Sequence, residues 1–222
     1  MKTIEVIKKV LGLNKIENSL AHVQRFLYGF RLSDEEVLKT YGLSVKNIDY
    51  GSDSDLQQWC DIINNSYDDC FFDIPKAKQF LNNHILFEDG KTVLFMDGPV
   101  PCATVSWGRY KRNPKVGGDF RIGVHNNYKG NGLGRMCVEY AFSRLAEEGI
   151  RLGESIITIK RVPSLLLHFS LGFEPQYDTR FTILSTKRNL KYYLYYIQRK
   201  RISHLLLKYN KQYKNKLKKS FQ

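Results

Sequence analysis

The fold of this 222-residue chain is decided by residues 120–135, FRIGVHNNYKGNGLGR. The first five residues have the apolar character of a short strand, and a glycine-rich turn follows. Apolar residues then recur at the spacing of a helix that packs on a core: Leu133, Met136, Cys137, Tyr140, Ala141 and Leu145. Free N–H groups and the positive end of the helix dipole meet where such a turn opens onto a helix. The stretch therefore predicts a loop that binds a phosphate or pyrophosphate group.

Three phosphate-binding loops compete for this stretch. The P-loop does not fit, because Gly134 is followed by Arg135 and no hydroxyl residue comes next to hold magnesium. The Rossmann fingerprint does not fit either, because Gly130, Gly132 and Gly134 are one residue short of its glycine spacing. A third pattern has a basic residue or Gln, two residues of any type, Gly, one residue of any type, and Gly or Ala. Lys129, Gly132 and Gly134 match it.

This third pattern resembles the pyrophosphate loop of the GNAT acetyltransferase superfamily, with Lys129 where Arg or Gln is usual. The order around the loop adds to the resemblance, because a predicted helix and a predicted strand over residues 155–159 follow it. Residues 163–173, PSLLLHFSLGF, then resemble the second motif of the family, a short helix that Pro163 opens and Gly172 closes. The resemblance covers residues 46–186.

The resemblance implies an α+β fold, a GNAT-like mixed and mostly antiparallel sheet flanked by helices. It divides the chain into three parts: a helical N-terminal extension over residues 1–46, an acetyltransferase domain over residues 47–186, and a basic amphipathic C-terminal tail over residues 187–222.

Local patterns predict the individual elements. Ser33 and Glu36 form a capping-box pattern within the N-terminal extension, where we expect helices. Asp97-Gly98 lies between two β-prone runs and predicts a hairpin. Asn113-Pro114 and Gly117-Gly118 predict a loop that leads into the key strand. The remaining predicted elements are strands over residues 47–51, 92–96, 101–110 and 181–185, and helices over residues 54–67 and 74–81.

The positive charge is concentrated in the tail. The chain has a formal net charge of +13, but residues 187–222 hold 12 Lys and Arg and no Asp or Glu. The rest of the chain therefore carries 23 basic and 22 acidic residues and is close to neutral. This balance argues against a body that lies along nucleic acid, and it makes the tail a separate question.

The tail has three interpretations. Leucines and tyrosines at near-helical spacing among the lysines suit a helix that lies on an anionic membrane. The same pattern suits a helix that packs on the N-terminal helices and leaves its lysines in solvent, whereas nucleic acid is the least favoured partner. No run of eighteen apolar residues and no signal peptide is seen, so we expect a cytoplasmic protein, with peripheral contact at the inner membrane surface if the tail binds lipid.

The cysteines and histidines predict no further cofactor. Four cysteines without CxxC spacing are typical of reduced thiols in a cytosolic protein, and five scattered histidines indicate no metal site.

The resemblance also implies the reaction, direct transfer of an acetyl group from acetyl-CoA, as co-substrate, to a primary amine. The pyrophosphate would bind the backbone of the loop: Lys129, Gly130, Asn131, Gly132, Leu133, Gly134 and Arg135, the last with its side chain as well. Ile122 and Val124 would pair with the amides of pantetheine, and the N–H group of Val124 or a neighbour would donate to the thioester oxygen. Gly123 between them would mark a bulge that opens the sheet.

The catalytic acid and base are open at this point. His168 occupies the position of the tyrosine that usually protonates the leaving thiolate, and it either takes that role or packs beside the cofactor. Asp119 is the first candidate for the base, with Glu154 or a chain of waters as alternatives. Three residues of the facing strand either line the acceptor pocket or pack as ordinary strand residues: Trp107, Arg109 and Tyr110.

Three functions compete. The first is an N-acetyltransferase whose acceptor is a small-molecule or peptide amine, such as an amino sugar, an amino acid or a protein N-terminus. The second is a catalytically weak or inactive CoA-binding protein whose tail binds membrane or nucleic acid. The third is an enzyme that the tail directs to a ribosomal protein or RNA.

Overall fold

The computed structural model describes residues 20–158 and 161–175. The predicted strand over residues 181–185 and the tail over residues 187–222 lie outside the described residues, as does the first part of the N-terminal extension.

The described chain contains seven strands and five α-helices. The strands are β1 Leu20–Phe26, β2 Ser44–Asn47, β3 Phe87–Asp97, β4 Val100–Tyr110, β5 Asn113–Val124, β6 Leu152–Thr158 and β7 Glu174–Pro175. The helices are α1 Asp34–Tyr41, α2 Asp53–Ser66, α3 Ile74–Asn82, α4 Leu133–Glu147 and α5 Val162–Ser170, and a 3-10 turn spans Asn126–Tyr128.

Within the described residues, the strands form one sheet of seven in the order β2-β3-β4-β5-β6-β1-β7. The pairs from β2 to β5 are antiparallel, and β5 and β6 are parallel. The sheet is therefore mixed, and the α+β fold with flanking helices is confirmed.

Two local predictions are confirmed by their backbone chemistry. Ser33 accepts the backbone N–H of Glu36 while the Glu36 carboxylate accepts that of Ser33, so the capping box opens α1. Gly98 at the tip of the β3–β4 hairpin has a φ of 55°, a conformation that a glycine adopts without steric cost.

The helices α2 and α4 cover opposite faces of the sheet. Val116 belongs to the apolar cluster that α2 supplies with Leu56 and Trp59, among others. A Cβ built on the next residue, Gly117, would lie 2.6 Å from Leu145 Cδ2 of α4. Because successive strand residues face opposite sides, the two helices enclose β5 between them.

Three predicted elements are wrong in type or extent. Residues 20–26 of the predicted helical extension form strand β1, whose register in the sheet is fixed by pairing and not by local propensity. The strand predicted over residues 47–51 is β2, Ser44–Asn47. The predicted loop with Asn113-Pro114 and Gly117-Gly118 is the first half of β5, because pairing with β4 overrides the turn propensity of these residues.

The chain divides into two compact units. Val23–Ile156 and Leu171–Glu174 form the first, which holds β2 to β5 and α1 to α4. Helix α5 belongs to the second.

Candidate functional site

Strand β5 loses one of its two neighbours halfway along its length. It pairs in parallel with β6 at Val116 with Leu152 and at Gly117 with Gly153, and no register pair between these strands is found further along in the described chain. Its pairing with β4 continues to Val124. The second half of β5 therefore has an open edge on the side of β6.

A β-bulge lies in this second half. Gly123 pairs with Thr104 and Phe120 pairs with Ser106, so Arg121 and Ile122 together face Val105 of β4. Arg121 has a φ of 54°. The bulge thus precedes Gly123, whereas Gly123 itself meets α2, because a Cβ built on it would lie 2.9 Å from Ile63 Cδ1.

The backbone at the end of β5 directs polar groups toward the open edge. The His125 N–H donates to the Cys102 carbonyl at 2.9 Å, so the adjacent pair of Val124 and Ala103 is a non-hydrogen-bonded pair. The polar groups of Val124 consequently point away from β4. Ser66 Oγ lies 2.9 Å from the Val124 carbonyl oxygen, and the Tyr67 hydroxyl donates to the Ile122 carbonyl. The N–H group of Val124 shares this edge and suits the amide pairing predicted for it.

The glycine-rich loop is open to an anion. Gly130 and Gly132 have φ values of 90° and 79°, and a Cβ built on either would meet nothing within 4 Å. Gly132 caps α4 without a side-chain hydrogen bond, and its carbonyl accepts from the N–H groups of Arg135 and Met136. The preceding helical N–H groups, those of Leu133 and Gly134, lie in the first turn, where a helix has no partners of its own. The loop therefore fits a pyrophosphate group.

The side chains of the loop are mostly exposed. Lys129, Asn131 and Arg135 are exposed, whereas Leu133 is buried and anchors the start of α4. Arg135 Nε donates to Glu139 Oε1 at 3.0 Å, which holds the guanidinium along the helix. Backbone N–H groups and positive side chains thus meet at this end of α4.

The two candidate bases are held differently. Asp119 is nearly buried and accepts a hydrogen bond from the Ser155 hydroxyl, so this bond connects β5 and β6 beyond their last register pair. Glu154 is buried, pairs with Arg112 and accepts from Gln24 Nε2 at 2.6 Å. Its ion pair explains how a buried carboxylate is tolerated and favours a structural role.

His168 lies in the last turn of α5. Its side chain is buried, and Nδ1 lies 2.8 Å from the Ser164 carbonyl oxygen one turn earlier. That contact engages Nδ1 of the ring. The helix belongs to the second unit, and the acid role of His168 stays a prediction.

On β4, the strand that faces the site, Trp107 and Tyr110 are buried. Tyr110 is buried, stacks near Phe87 and donates to the Glu154 carbonyl at 3.3 Å. Trp107 is buried beside Tyr140, and Arg109 pairs with Asp89 at the surface. These contacts are those of strand packing, and burial raises the pKa of Tyr110 well above its ordinary value.

The described residues show neither a metal cluster nor a membrane-spanning helix. In the described part of the chain, His, Cys, Asp and Glu side chains do not gather in a group that would hold a metal ion. Across residues 20–158 and 161–175, none of the helices combines the length and apolar character needed to cross a bilayer.

Sequence reasoning missed three residues at the open edge: Ser66, Tyr67 and Arg121. Tyr67 and Ser66 end α2, and their contacts with β5 depend on a sequence separation of more than fifty residues. Arg121 was read only as part of the strand, since nothing in its residue type signals a positive φ.

The sequence profile described as "Acetyltransferase (GNAT) family" matches residues 56–173, just over half of the chain. No curated protein sequence matches the chain.

Solved structures share the fold at low identity. The GCN5-related N-acetyltransferase from Sphaerobacter thermophilus is 12% identical with a TM-score of 0.52, and the match covers 71% of this chain and 48% of that one. A functionally unknown conserved protein from Staphylococcus epidermidis is also 12% identical with a TM-score of 0.52, over 71% of this chain and 57% of that one. The chain spans about three fifths of the length of the first structures that it matches.

Proposed function

The chain belongs to the GNAT family of acetyltransferases, and from this premise we propose that it moves an acetyl group from acetyl-CoA directly to the primary amine of a small molecule or peptide. The observation that carries the proposal is the open edge of β5 directly before the exposed glycine loop. One feature offers backbone hydrogen-bonding groups and the other offers an anion site, and both lie in the first unit of the chain.

The loop and the end of β5 each bind a different part of acetyl-CoA. Acetyl-CoA supplies a thioester activated for attack by an amine. The loop from Lys129 to Arg135 holds the pyrophosphate through backbone N–H groups. The backbone of Ile122 and Val124 pairs with the amides of the pantetheine arm, and the N–H group of Val124 or a neighbour donates to the oxygen on which negative charge develops.

Proton transfer completes the proposal. Asp119 takes the proton of the amine, directly or through water, and His168 returns a proton to the thiolate. The His168 role is supported by the match of its position to the tyrosine of the second motif.

The loop is tested by Gly132→Val, with Gly149→Val as the matched control. Both glycines have a φ near 80°, and a Cβ built on either meets nothing within 4 Å, so both variants carry the same backbone strain. Only Gly132→Val should abolish the rise in melting temperature that acetyl-CoA causes, because its side chain occupies the anion site. Undiminished acetyl-CoA affinity in folded Gly132→Val protein would contradict the proposal.

The acid is tested by turnover. His168→Phe should lower the rate of thiol release by about tenfold to a thousandfold and leave acetyl-CoA affinity nearly unchanged, as expected when a general acid is removed. His168→Tyr should retain activity, because a phenol also donates a proton. A wild-type rate in His168→Phe protein would place the acid elsewhere.

The competing CoA-binding function predicts a different pattern. Such a protein would bind acetyl-CoA through the same loop and release no thiol with any amine of a broad library. The membrane role of the tail, residues 187–222, also stays a prediction, and co-sedimentation with anionic vesicles that is lost as salt rises tests it.

A further inference from the structure

The bulge in β5 places two successive side chains on the same face of the sheet. The Phe120 ring centroid lies 6.1 Å from that of Phe80, and the guanidinium carbon of Arg121 lies 5.1 Å from the same Phe80 centroid. In a regular strand these neighbours would point to opposite faces. The positive φ of Arg121 therefore aims a cation at the aromatic residues of α3 and of the segment before it.

The surroundings of the Arg121 guanidinium are aromatic. Its carbon lies 5.7 Å from the ring centroid of Tyr67 and 5.3 Å from that of Phe72, and Nη1 lies 3.7 Å from Cys70 Sγ. Ring faces stabilise a cation, but they do not satisfy the in-plane N–H groups of a guanidinium as an oxygen acceptor does. Arg121 is half-buried, so its N–H groups are also partly withdrawn from water.

Arg121 differs from the arginines of the β4–β5 hairpin and of α4; Arg25 of β1 also has no ion pair among the described residues, but it donates to the Leu171 carbonyl. Over the residues that the structure describes, Arg121 has no carboxylate within ion-pair distance, whereas these four arginines each pair with one: Arg109, Arg112, Arg135 and Arg144. A half-buried guanidinium in an aromatic setting gains most from a planar anion, which accepts two parallel N–H groups.

The position of Arg121 connects this anion site to the proposed reaction. Arg121 directly precedes Ile122, and Tyr67 contacts both residues, through its ring and its hydroxyl. Val124 lies three residues further along the strand, about 10 Å away at the rise of an extended chain. An amine at the end of β5 and an anion at Arg121 can therefore belong to one molecule of short-peptide length, whereas the amine and the carboxylate of a single α-amino acid are only about 3 Å apart.

We propose that Arg121 binds the carboxylate of the acceptor, so that the acceptor class is primary amines that carry a carboxylate at a distance, namely short peptides with a free C-terminus. The inference rests on the proposed acetyl transfer for the identity of the amine. The carboxylate site itself depends only on the contacts of Arg121.

The first experiment compares acceptors that differ only in the carboxylate. Thiol release is measured with a panel of dipeptides and tripeptides and with their C-terminal amides, for the wild-type protein and for Arg121→Gln, Arg121→Lys and Arg31→Gln. Arg31 is an exposed arginine outside the site and serves as the matched control.

The expected result is a loss confined to the free acids. Arg121→Gln should lower kcat/KM for the free acids by about tenfold to a hundredfold, as expected for lost charge-assisted hydrogen bonds, and should leave the amides nearly unchanged. For Arg121→Lys, kcat/KM with the free acids should lie between the values of the wild type and of Arg121→Gln, because lysine keeps the charge but cannot donate two parallel N–H groups. Arg31→Gln should match the wild type. Equal losses for acids and amides would overturn the proposal and assign Arg121 to packing.

The second experiment needs no turnover. The Nε–H resonance of Arg121, identified by its absence in Arg121→Lys protein, is followed while N-acetylglycine or N-acetylglycinamide is added. The acid should shift this resonance and the amide should not. If the resonance does not shift with N-acetylglycine, or shifts equally with both compounds, the proposed carboxylate site is overturned.

The two experiments separate this inference from the proposed function. If amines release thiol without preference for free acids and the Arg121 resonance is silent, acetyl transfer stands and the carboxylate site fails. If no amine releases thiol and N-acetylglycine still shifts the resonance, the carboxylate site stands and acetyl transfer fails.

Discussion

The two halves of β5 belong to one strand but have different neighbours. Residues 113–118 pair with β4 on one side and, through Val116 and Gly117, with β6 on the other. Among the described residues, 119–124 have register pairs with β4 and none with β6, and they contain the bulge. The first half has a neighbouring strand on both sides for its backbone N–H and C=O groups, whereas those at the end of the second half face an open edge. The point at which a neighbouring strand departs thus separates the part of β5 that builds the fold from the part that can bind a ligand.

Glycines serve the two halves in different ways. A Cβ built on Gly118 would lie 2.5 Å from the backbone oxygen of Glu154 and 2.8 Å from the Tyr110 ring. A Cβ built on Gly123 would lie 2.9 Å from Ile63 Cδ1, the end of a side chain that can change rotamer. Gly118 in the first half is therefore needed because the backbone of Glu154 approaches it closely, and Gly123 in the second half is needed because α2 packs on it.

The largest effect should come from Gly118→Ala. The added methyl group clashes with backbone on β6, and we expect the free energy of unfolding to fall by about 3 kcal/mol or more, as for an overpacked core. Gly123→Ala in the other half should cost about 1 kcal/mol, since Ile63 can move. Urea unfolding of both variants measures the difference, and equal losses would break the distinction between the halves.

The next effect concerns the bond that crosses the point of divergence. Ser155→Ala removes the hydroxyl that donates to the nearly buried Asp119, and we expect a loss of about 2 kcal/mol, as for a hydrogen bond to a charged group. Ser170→Ala, at an exposed hydroxyl on α5, serves as the control and should change stability by less than about 0.5 kcal/mol. A Ser155→Ala protein as stable as the control would show that this bond does not hold the diverging strands.

The smallest effect is a pH dependence beside the second half of β5. The His84 ring lies 4.3 Å from that of Phe120, and burial, followed by the charges of Arg121 and Lys111, lowers the pKa of His84 from 6.5 to about 4. The unfolded chain therefore takes up this proton first as the pH falls. Stability present above pH 6.5 should be lost between pH 6.5 and about 4, by about 1 kcal/mol after allowance for solvent screening.

His84→Phe tests this dependence because it keeps an aromatic ring between Phe80 and Phe120 and cannot titrate. Unfolding free energies are compared near pH 7 and at about pH 5, on either side of the unfolded pKa. The variant should lose less stability than the wild type over this interval. The same loss in both proteins would assign the pH dependence to another group.

The comparison also explains which features the sequence predicts. The capping box at Ser33, the hairpin at Gly98 and the helix after the glycine loop all depend on neighbours within a few residues, and all are confirmed. Strand β1 was predicted as helix because its pairing is distant: the Leu27 N–H at its end donates to the Arg151 carbonyl at 2.9 Å. Such a partner leaves no local signal.

The features of the candidate site also divide into those that the sequence predicts from local spacing and those that depend on distant contacts. The glycine spacing of the loop is local and predicts an anion site, for which the structure provides exposed backbone. The sequence predicts the bulge at Gly123, but the residue with a positive φ is Arg121. The bulge lies where Arg121 and Ile122 together face Val105, and this register depends on strand pairing and not on residue propensity. The aromatic setting of Arg121 combines α2, α3 and the segment between them, so only the folded chain reveals it.

The distribution of the four cysteines gives the molecule a natural labelling handle. Cys60, Cys102 and Cys137 are buried, and burial raises the pKa of the first two thiols to about 11 and that of Cys137 well above its ordinary value. Cys70 is half-buried, within 3.7 Å of Arg121. Since thiolates react and buried thiols stay protonated, a maleimide fluorophore should couple to Cys70 first and report through its emission on whatever occupies the neighbouring guanidinium.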